Sequence, residues 1–211
     1  MKQIKGGVTA AKGYEAASTA AGIKYQGRTD MALIYSQVPC VSAGTFTTNV
    51  VKAAPVKWDR QIVDSGAGVQ AVVVNSGIAN ACTGEEGMGY CKETAEAAAK
   101  ALNIDAAGVL VGSTGVIGMK LPMQKLVDGI QVLAGLQSGH DAALAIMTTD
   151  TVEKEMAVEI EISGKTVTIG GMSKGSGMIH PNMCTMLAFI TTDAAITKEA
   201  LQKALSEDVE D

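Results

Sequence analysis

The sequence has little aromatic content and no excess of basic residues. Phe, Trp and Tyr together make up 3% of the 211 residues, which argues against the base-stacking platforms of single-stranded nucleic-acid binders. The formal net charge is -5 and no basic stripe is present, so nucleic acid and anionic membranes are poor partners. No apolar run approaches the length of a membrane span, and residues 1–4 lead into a glycine turn without the apolar core of a secretory signal.

Metal ligands and disulfide patterns are also scarce. The two histidines, His140 and His180, are too few for a plausible zinc site, so we expect no metal. The four cysteines show no CxxC or other zinc-ligand pairing, and they are Cys40, Cys82, Cys91 and Cys184. Reduced thiols in the cytoplasm are the simplest interpretation, and no arginine-rich transit segment directs the chain to an organelle.

The chain has the composition of a globular protein, with 47% apolar and 18% charged residues, and β-type runs alternate with helical stretches. We predict strands at 31–35, 41–46 (with Pro39 in the turn between these two), 69–74, 109–111 and 185–190, and a hairpin of 155–162 with 166–169. We predict helices at 54–63, 85–102, 122–136, 141–147 and 198–205. A layered α/β architecture follows, and alternation alone would suggest a doubly wound parallel sheet.

A glycine-rich polar loop runs from residue 170 directly into an apolar β-type segment, with Cys184 and Thr185 at the junction. A threonine hydroxyl there could attack the preceding carbonyl, shift the acyl group from nitrogen to oxygen and allow water to cut the chain. The new N-terminal threonine would carry its own base, because a free α-amino group has a pKa of about 7.7–8.0. A threonine that merely opens a strand is the alternative.

Three segments, in this order and spacing, resemble the ornithine acetyltransferase (glutamate N-acetyltransferase) family of arginine biosynthesis. They are NSGIANACTG at 75–84, STGVIG at 113–118 and KGSGMIHPNMCTML at 174–187, and the opening GGVTAAKG at 6–13 is similar to the family's N-terminus. The family's proteins are roughly twice as long, so we expect residues 1–211 to be the N-terminal portion, without the downstream remainder. The resemblance implies stacked β-sheets flanked by helices rather than one doubly wound sheet.

The resemblance also implies the catalytic residues. Thr185 matches the family's nucleophile, with self-cleavage at the 184/185 bond, and Thr114 and Gly115 match its oxyanion hole, where a hydroxyl and a backbone N–H stabilise a developing negative charge. The family usually has alanine before the threonine; Cys184 is also small, so we expect access to its carbonyl to survive. The alternatives are an ordinary strand-to-helix turn at Thr114 and Gly115 and, less favoured, Cys184 as a rival nucleophile.

Two residues match the family's substrate-binding positions. Lys174 supplies an ammonium group, a sensible partner for an amino-acid carboxylate, and a solvated surface lysine is the alternative. Thr148 matches a substrate-binding threonine, although Thr149 and Thr151 compete for the assignment and Asp150 could simply cap a turn. For the segment 75–84 we predict only packing and loop geometry.

The function implied by the resemblance is a ping-pong acetyltransferase. It moves acetyl from N²-acetylornithine to glutamate through an acetyl-threonine, and acetyl-CoA is a further donor in some members, without a metal or tightly bound cofactor. The expected partner is its own downstream chain after cleavage, in a two-plus-two heterotetramer. Two alternatives stay open: a self-processing amidohydrolase or aminopeptidase in which water replaces glutamate, or a non-catalytic half that needs a downstream segment. This portion alone is expected to be inactive.

Overall fold

The computed structural model describes residues 1–135, 139–176 and 186–209, with the backbone alone at residues 139 and 140. The described strands are β1 Lys2–Ile4, β2 Tyr14–Thr19, β3 Met31–Cys40, β4 Val69–Asn75, β5 Val109–Ser113, β6 Lys154–Ile162, β7 Lys165–Lys174 and β8 Leu187–Thr192. The described helices are α1 Ala54–Ser65, α2 Glu86–Leu102, α3 Met123–Leu133, α4 Gly139–Ala145 and α5 Lys198–Asp208. Among them, none has the length and apolar character to cross a bilayer.

The strands form two four-stranded sheets. Sheet A has the order β1-β6-β7-β8, and its neighbouring strands are antiparallel. Sheet B has the order β2-β3-β4-β5, in which the last two strands are parallel and the others antiparallel. The predicted hairpin is confirmed as β6 and β7, joined by Ser163 and Gly164 with φ of 51° and 75°, the positive angles of a type I′ turn.

Strand β3 shows how the layers are separated. Met31 and Leu33 belong to a core that sheet B shares with α2 and α3. Ala32 and Ile34 point to the opposite face and belong to a second core, which includes α4 and Met172 of sheet A, because side chains alternate along a strand. The layers are therefore helices, sheet B and sheet A, which confirms the expected stacked sheets and excludes a single doubly wound sheet.

The predicted strand at 41–46 is wrong. β3 instead continues through Pro39 to Cys40, with a shift in register before Cys40, so the proline lies where the ladder is irregular and no amide donor is needed. In the loop that follows, Gly44 donates its N–H to Oε1 of Gln202 at 3.1 Å and accepts Nε2 of the same side chain at 3.2 Å. The loop backbone therefore bonds to α5 instead of to a sheet.

Several predictions fall outside the described residues. They concern Cys184, Thr185, the bond between these two residues, His180 and the side chain of His140. The predicted strand that starts at residue 185 is described from Leu187 onward as β8.

Candidate active site

Two polar loops leave the carboxyl ends of β4 and β5, the parallel pair of sheet B. The first loop covers residues 75–84 and the second covers residues 113–118. Because parallel neighbours bring their carboxyl ends to one edge of a sheet, the loops lie side by side, and an isolated bridge pairs Ile78 with Val116. Such an edge is a common position for binding sites in α/β proteins.

Gly115 fixes the two loops against each other. Its φ is +132°, and a Cβ added there would lie 2.7 Å from the amide nitrogen of Ile78 and closer still to the carbonyl of Gly77. The Val116 N–H donates to the Gly77 carbonyl at 3.1 Å, and the Ala79 N–H donates to the Val116 carbonyl at 2.8 Å. Only glycine allows this backbone angle together with this close approach.

Buried side chains hold the loops in place. Asn75 is 2% exposed, and its Nδ2 donates to the Ile78 carbonyl at 2.8 Å. Ser113 Oγ donates to the same carbonyl at 3.3 Å and accepts the Asn80 N–H at 2.8 Å. The Thr114 N–H donates to the Asn75 carbonyl at 3.0 Å. The loop shape is therefore fixed by a connected network of hydrogen bonds.

Thr114 and Gly115 each carry a donor that finds no acceptor in the described part of the chain. Thr114 is 6% exposed, and its hydroxyl makes no hydrogen bond to a described residue. The Gly115 N–H also makes none, whereas the N–H groups of Thr114 and Val116 on either side are bonded. Two adjacent, uncommitted donors on a fixed loop are the components that an oxyanion hole requires.

Asp150 joins the Thr148 turn to the end of β7. Its carboxylate is 2% exposed and accepts the N–H of Thr148 at 3.3 Å and the N–H of Gly175 at 2.9 Å. Lys154 Nζ donates to it at 2.8 Å, and Lys174 Nζ lies 3.9 Å from its second oxygen. One buried carboxylate therefore contacts both predicted substrate-binding residues.

The charges in this cluster depend on one another. Burial lowers the pKa of Lys174, which is 3% exposed; Asp150 opposes that shift and Lys154 adds to it. Burial would raise the pKa of Asp150, but hydrogen bonds from Lys154, Gly175 and Thr148 outweigh it and hold the pKa below its ordinary value. Asp150 is therefore ionised at neutral pH, and Lys174 holds its proton less firmly than an exposed lysine.

The paired loops and the cluster around Asp150 are connected through α4 and sheet A. Ser76 Oγ donates to the carbonyl of Ala145 at 2.7 Å, at the end of α4 and three positions before Thr148. Phe189 of β8 contacts Gly112 of β5, where an added Cβ would lie 3.2 Å from the ring. The loops after β4 and β5, the end of α4 and the start of β8 therefore meet at one edge of the molecule.

Helix α1 supports β5 along its outer edge. Trp58 Nε1 donates to the Val109 carbonyl at 3.0 Å, and Asp59 Oδ1 accepts the Val111 N–H at 2.9 Å. Burial raises the pKa of Asp59 to about 7, although the bond from Val111 opposes the shift. Burial and the nearby Asp59 also raise the pKa of the Cys91 thiol, to about 12. These contacts fix the strand that leads into the second loop.

Of the three competing threonines, Thr148 is half-buried whereas Thr149 and Thr151 are exposed. The N–H of Thr148 bonds to Asp150, which is the turn contact that the alternative interpretation of Asp150 describes. The contact with Lys174 is an additional property of Asp150 that the sequence did not indicate. The substrate-binding roles themselves stay predictions.

The segment 75–84 has the predicted role in packing and loop geometry, since it forms half of the paired loops. A sequence signal was available: the apolar strands β4 and β5 each end in a polar residue that is followed by a second one, at Asn75-Ser76 and Ser113-Thr114. Side chains of His, Cys, Asp and Glu in the described part of the chain form no group of three or more suited to a metal ion.

Two solved structures share this arrangement of helices over two stacked sheets. The chain matches the arginine biosynthesis bifunctional protein ArgJ from Bacillus halodurans with a TM-score of 0.79 and 42% identity, over 88% of this chain and 97% of that one. It also matches an ornithine acetyltransferase from Mycobacterium tuberculosis, solved with ornithine, with a TM-score of 0.77 and 45% identity. This match covers 86% of this chain and 98% of that one. The fold is therefore that of the ornithine acetyltransferases.

The family model named ArgJ matches residues 15–211, and the chain belongs to the ArgJ family. The arginine biosynthesis bifunctional protein ArgJ of Symbiobacterium thermophilum is 55% identical over 98% of this chain and 52% of its own length. That of Thermosynechococcus vestitus is 51% identical over 97% of this chain and 49% of its own length. The chain spans about half the length of these curated relatives, although it covers nearly all of each solved chain.

Proposed function

We propose that the protein is the N-terminal portion of an enzyme that transfers acetyl from N²-acetylornithine to glutamate in arginine biosynthesis. The observation that carries the proposal is the glycine-fixed loop on which the Thr114 hydroxyl and the Gly115 N–H have no acceptor among the described residues. The 45% identity to an ornithine acetyltransferase crystallised with ornithine supports the choice of substrate.

In the proposed reaction, the Thr185 hydroxyl attacks the acetyl carbonyl carbon of N²-acetylornithine, and the α-amino group of Thr185 takes the proton. Negative charge develops on the carbonyl oxygen, where the Thr114 hydroxyl and the Gly115 N–H stabilise it. The C–N bond then breaks, and ornithine leaves with the proton while the acetyl group stays as an ester on Thr185. The glutamate amine attacks this ester, N-acetylglutamate departs, and the hydroxyl is restored.

A free α-amino group on Thr185 requires a cut between Cys184 and Thr185. The near-complete coverage of two solved chains supports it, because the curated relatives are about twice as long. Thr185 lies four positions before Phe189, which contacts Gly112, and four residues extend at most about 14 Å. Residues 1–184 would then be one polypeptide, and the rest would begin the downstream one, in a two-plus-two heterotetramer in the cytoplasm.

Lys174 and Thr148 are proposed to bind the part that both substrates share. N²-acetylornithine and glutamate each carry an α-carboxylate, and the cluster of Asp150, Lys154 and Lys174 has two ammonium groups against one carboxylate. No metal or bound cofactor takes part in the proposal, and acetyl-CoA would enter only as an alternative acetyl donor.

The test uses a polypeptide that joins this chain to the downstream half of the Symbiobacterium thermophilum relative. Intact mass should show two products, and acetyl should move from N²-acetylornithine to glutamate. We expect Thr185→Ala to abolish both, and Thr114→Ala to slow transfer about 10²–10³-fold while the protein stays folded. Thr166→Ala changes an exposed threonine of the β6–β7 hairpin, outside the proposed site, and should affect neither.

Three results would contradict the proposal. Cleavage that persists in Thr185→Ala would remove this residue from the mechanism. Transfer at the unsubstituted rate in Thr114→Ala would remove the oxyanion assignment. Hydrolysis of N²-acetylornithine without transfer to glutamate would favour the amidohydrolase alternative. This chain without a downstream half should show no turnover.

A further inference from the structure

The loop that joins β2 to β3 lies beside the paired loops of the candidate site. It covers residues 20–30. Its Lys24 packs against Gly77, where an added Cβ would lie 3.1 Å from the Cβ of Lys24. Gly77 is also the residue that Gly115 contacts, so a single glycine separates Lys24 from the loop of the proposed oxyanion hole.

A second basic residue of the same loop reaches the Thr148 turn. Arg28 donates an N–H of its Nη2 to the carbonyl of Met147, which directly precedes Thr148. The ammonium group of Lys24 lies 4.9 Å from the centre of the Tyr25 ring. Lys24, and to a smaller extent Arg28, lower the pKa of the Tyr25 hydroxyl, so both cations lie near it. We call Lys24 and Arg28 together the basic rim.

Backbone hydrogen bonds fix the loop that carries the basic rim. Asp30 is 4% exposed, and its carboxylate accepts the N–H of Ala21 at 2.8 Å and the N–H of Ile23 at 2.6 Å. The carbonyl of Asp30 accepts the N–H of Ser76 at 2.8 Å, which attaches the loop to the first of the paired loops. The basic residues are therefore held at the site, and the carboxylate of their own loop is occupied by backbone donors.

The positive charge of the basic rim has no counter-charge in the described part of the chain. The ion pairs found there involve neither Lys24 nor Arg28. The contacts described above join Arg28 to a neutral carbonyl and Lys24 to an aromatic ring. In a chain of net charge -5, two uncompensated cations beside a site create a local field that attracts the anionic group of a ligand.

We propose that the basic rim binds the side-chain carboxylate of the acceptor glutamate and thereby selects glutamate over ornithine. This inference rests on the proposed function and adds a specificity determinant to it. Donor and acceptor share the α-carboxylate that Lys174 and Thr148 are proposed to bind, so that contact does not distinguish them. Their side chains end in opposite charges, an ammonium in ornithine and a carboxylate in glutamate. Cations that attract the carboxylate and repel the ammonium favour glutamate as the amine that attacks the acetyl ester.

The two halves of a ping-pong reaction can be measured separately. Exchange of acetyl between N²-acetylornithine and isotope-labelled ornithine needs no glutamate, whereas transfer to glutamate also reports the second half. The measurements use the polypeptide that joins this chain to the downstream half of the Symbiobacterium thermophilum relative. We expect Lys24→Gln and Arg28→Gln each to raise KM for glutamate about three- to tenfold. Exchange with ornithine should keep its rate or become faster, because a repelling charge has been removed.

Two further variants separate charge from packing. Lys24→Arg keeps the charge and should retain the unsubstituted KM for glutamate. Lys165→Gln is the matched control, because Lys165 is exposed at the opposite end of β7 from Lys174, and it should change neither activity. The effect of Lys24→Gln should also shrink in about 1 M salt, since exposed charges are screened there.

Three results would overturn the inference while leaving the proposed function intact. They are an unchanged KM for glutamate in both Gln variants, ornithine exchange that slows as much as transfer to glutamate, and a raised KM that Lys24→Arg shares. The last result would assign the loss to packing against Gly77 instead of to charge. Absence of both transfer and exchange in the unsubstituted polypeptide would overturn the proposed function itself, and the inference with it.

Discussion

Replacing Gly115 by alanine tests the paired loops directly. The added Cβ would lie 2.7 Å from the Ile78 amide nitrogen and closer still to the Gly77 carbonyl, so backbone atoms would have to move apart. The φ of +132° adds strain for any residue with a Cβ, whichever way the neighbours move. The substitution should therefore separate the two loops.

The expected loss of unfolding free energy follows from these two effects. A residue held at an unfavourable backbone angle costs about 1–3 kcal/mol. Movement of the loops also breaks the bond from Val116 to Gly77 and the bond from Ala79 to Val116, each contributing about 1 kcal/mol. The total is about 3–5 kcal/mol, which is a large part of the stability of a typical domain.

Gly118→Ala is the matched control. Gly118 lies three positions further in the same loop, with a φ of +76° and no atom within 4 Å of an added Cβ, so only the backbone angle opposes alanine there. We expect it to cost about 1–2 kcal/mol. Urea unfolding of both variants, followed by circular dichroism, gives the two free energies. If Gly115→Ala lost no more than Gly118→Ala, the close approach of the loops would be refuted.

Three further predictions concern charged groups. Asp150→Asn should lower the free energy of unfolding by about 3 kcal/mol at pH 7, because it removes a buried negative charge 3.9 Å from the ammonium group of buried Lys174. Since the pKa of Asp150 is lowered, this difference should shrink in urea titrations as the pH falls below about 4 and Asp150 takes up a proton. Asp59 has a pKa raised to about 7, so between about pH 4 and pH 7 it holds a proton in the folded protein that the unfolded chain has released. The free energy of unfolding should therefore fall as the pH rises through this range, and Asp59→Asn should flatten that slope. An unchanged slope in the variant would contradict the raised pKa. Lys174→Ala in the joined polypeptide should reduce kcat/KM for N²-acetylornithine and for glutamate about ten- to a hundredfold, mainly by raising KM. Self-cleavage should continue in this variant, because it needs no substrate. If the variant failed to cleave itself, the role of Lys174 would be structural.

The long, strongly patterned elements could be predicted from the sequence. β4 is observed at Val69–Asn75 against a predicted 69–74, and α2 at Glu86–Leu102 against 85–102. β2 could not be predicted, since its sequence YEAAST has small residues on both faces and therefore no contrast between apolar and polar positions. The strand at 41–46 was wrong because contacts with α5, far away in the chain, decide the conformation of that segment.

The candidate site was predicted in part, and the missing part depends on long-range contacts. The glycine at position 115 indicated a turn, but not that Gly77 would lie against it, since 38 positions separate the two residues. Asp150 was placed in a turn, but its contact with Lys174 exists only after β6 and β7 pair and return the chain to the same edge. Local patterns identify such residues, and the pairing of distant strands decides what they touch.

Sheet A also determines what a cut between residues 184 and 185 would do. β8 begins two positions after Thr185 and pairs with β7 from Lys174 opposite Leu187 to Ile169 opposite Thr192. α5 follows and is held to the rest of the chain by Lys198, whose Nζ donates to the Val63 carbonyl at 2.6 Å. A new N-terminus at Thr185 would thus stay attached through the strand that contacts Gly112. Cleavage in the proposed mechanism therefore frees an amino group without freeing a polypeptide, and mass measured after denaturation reveals it where gel filtration of the native protein does not.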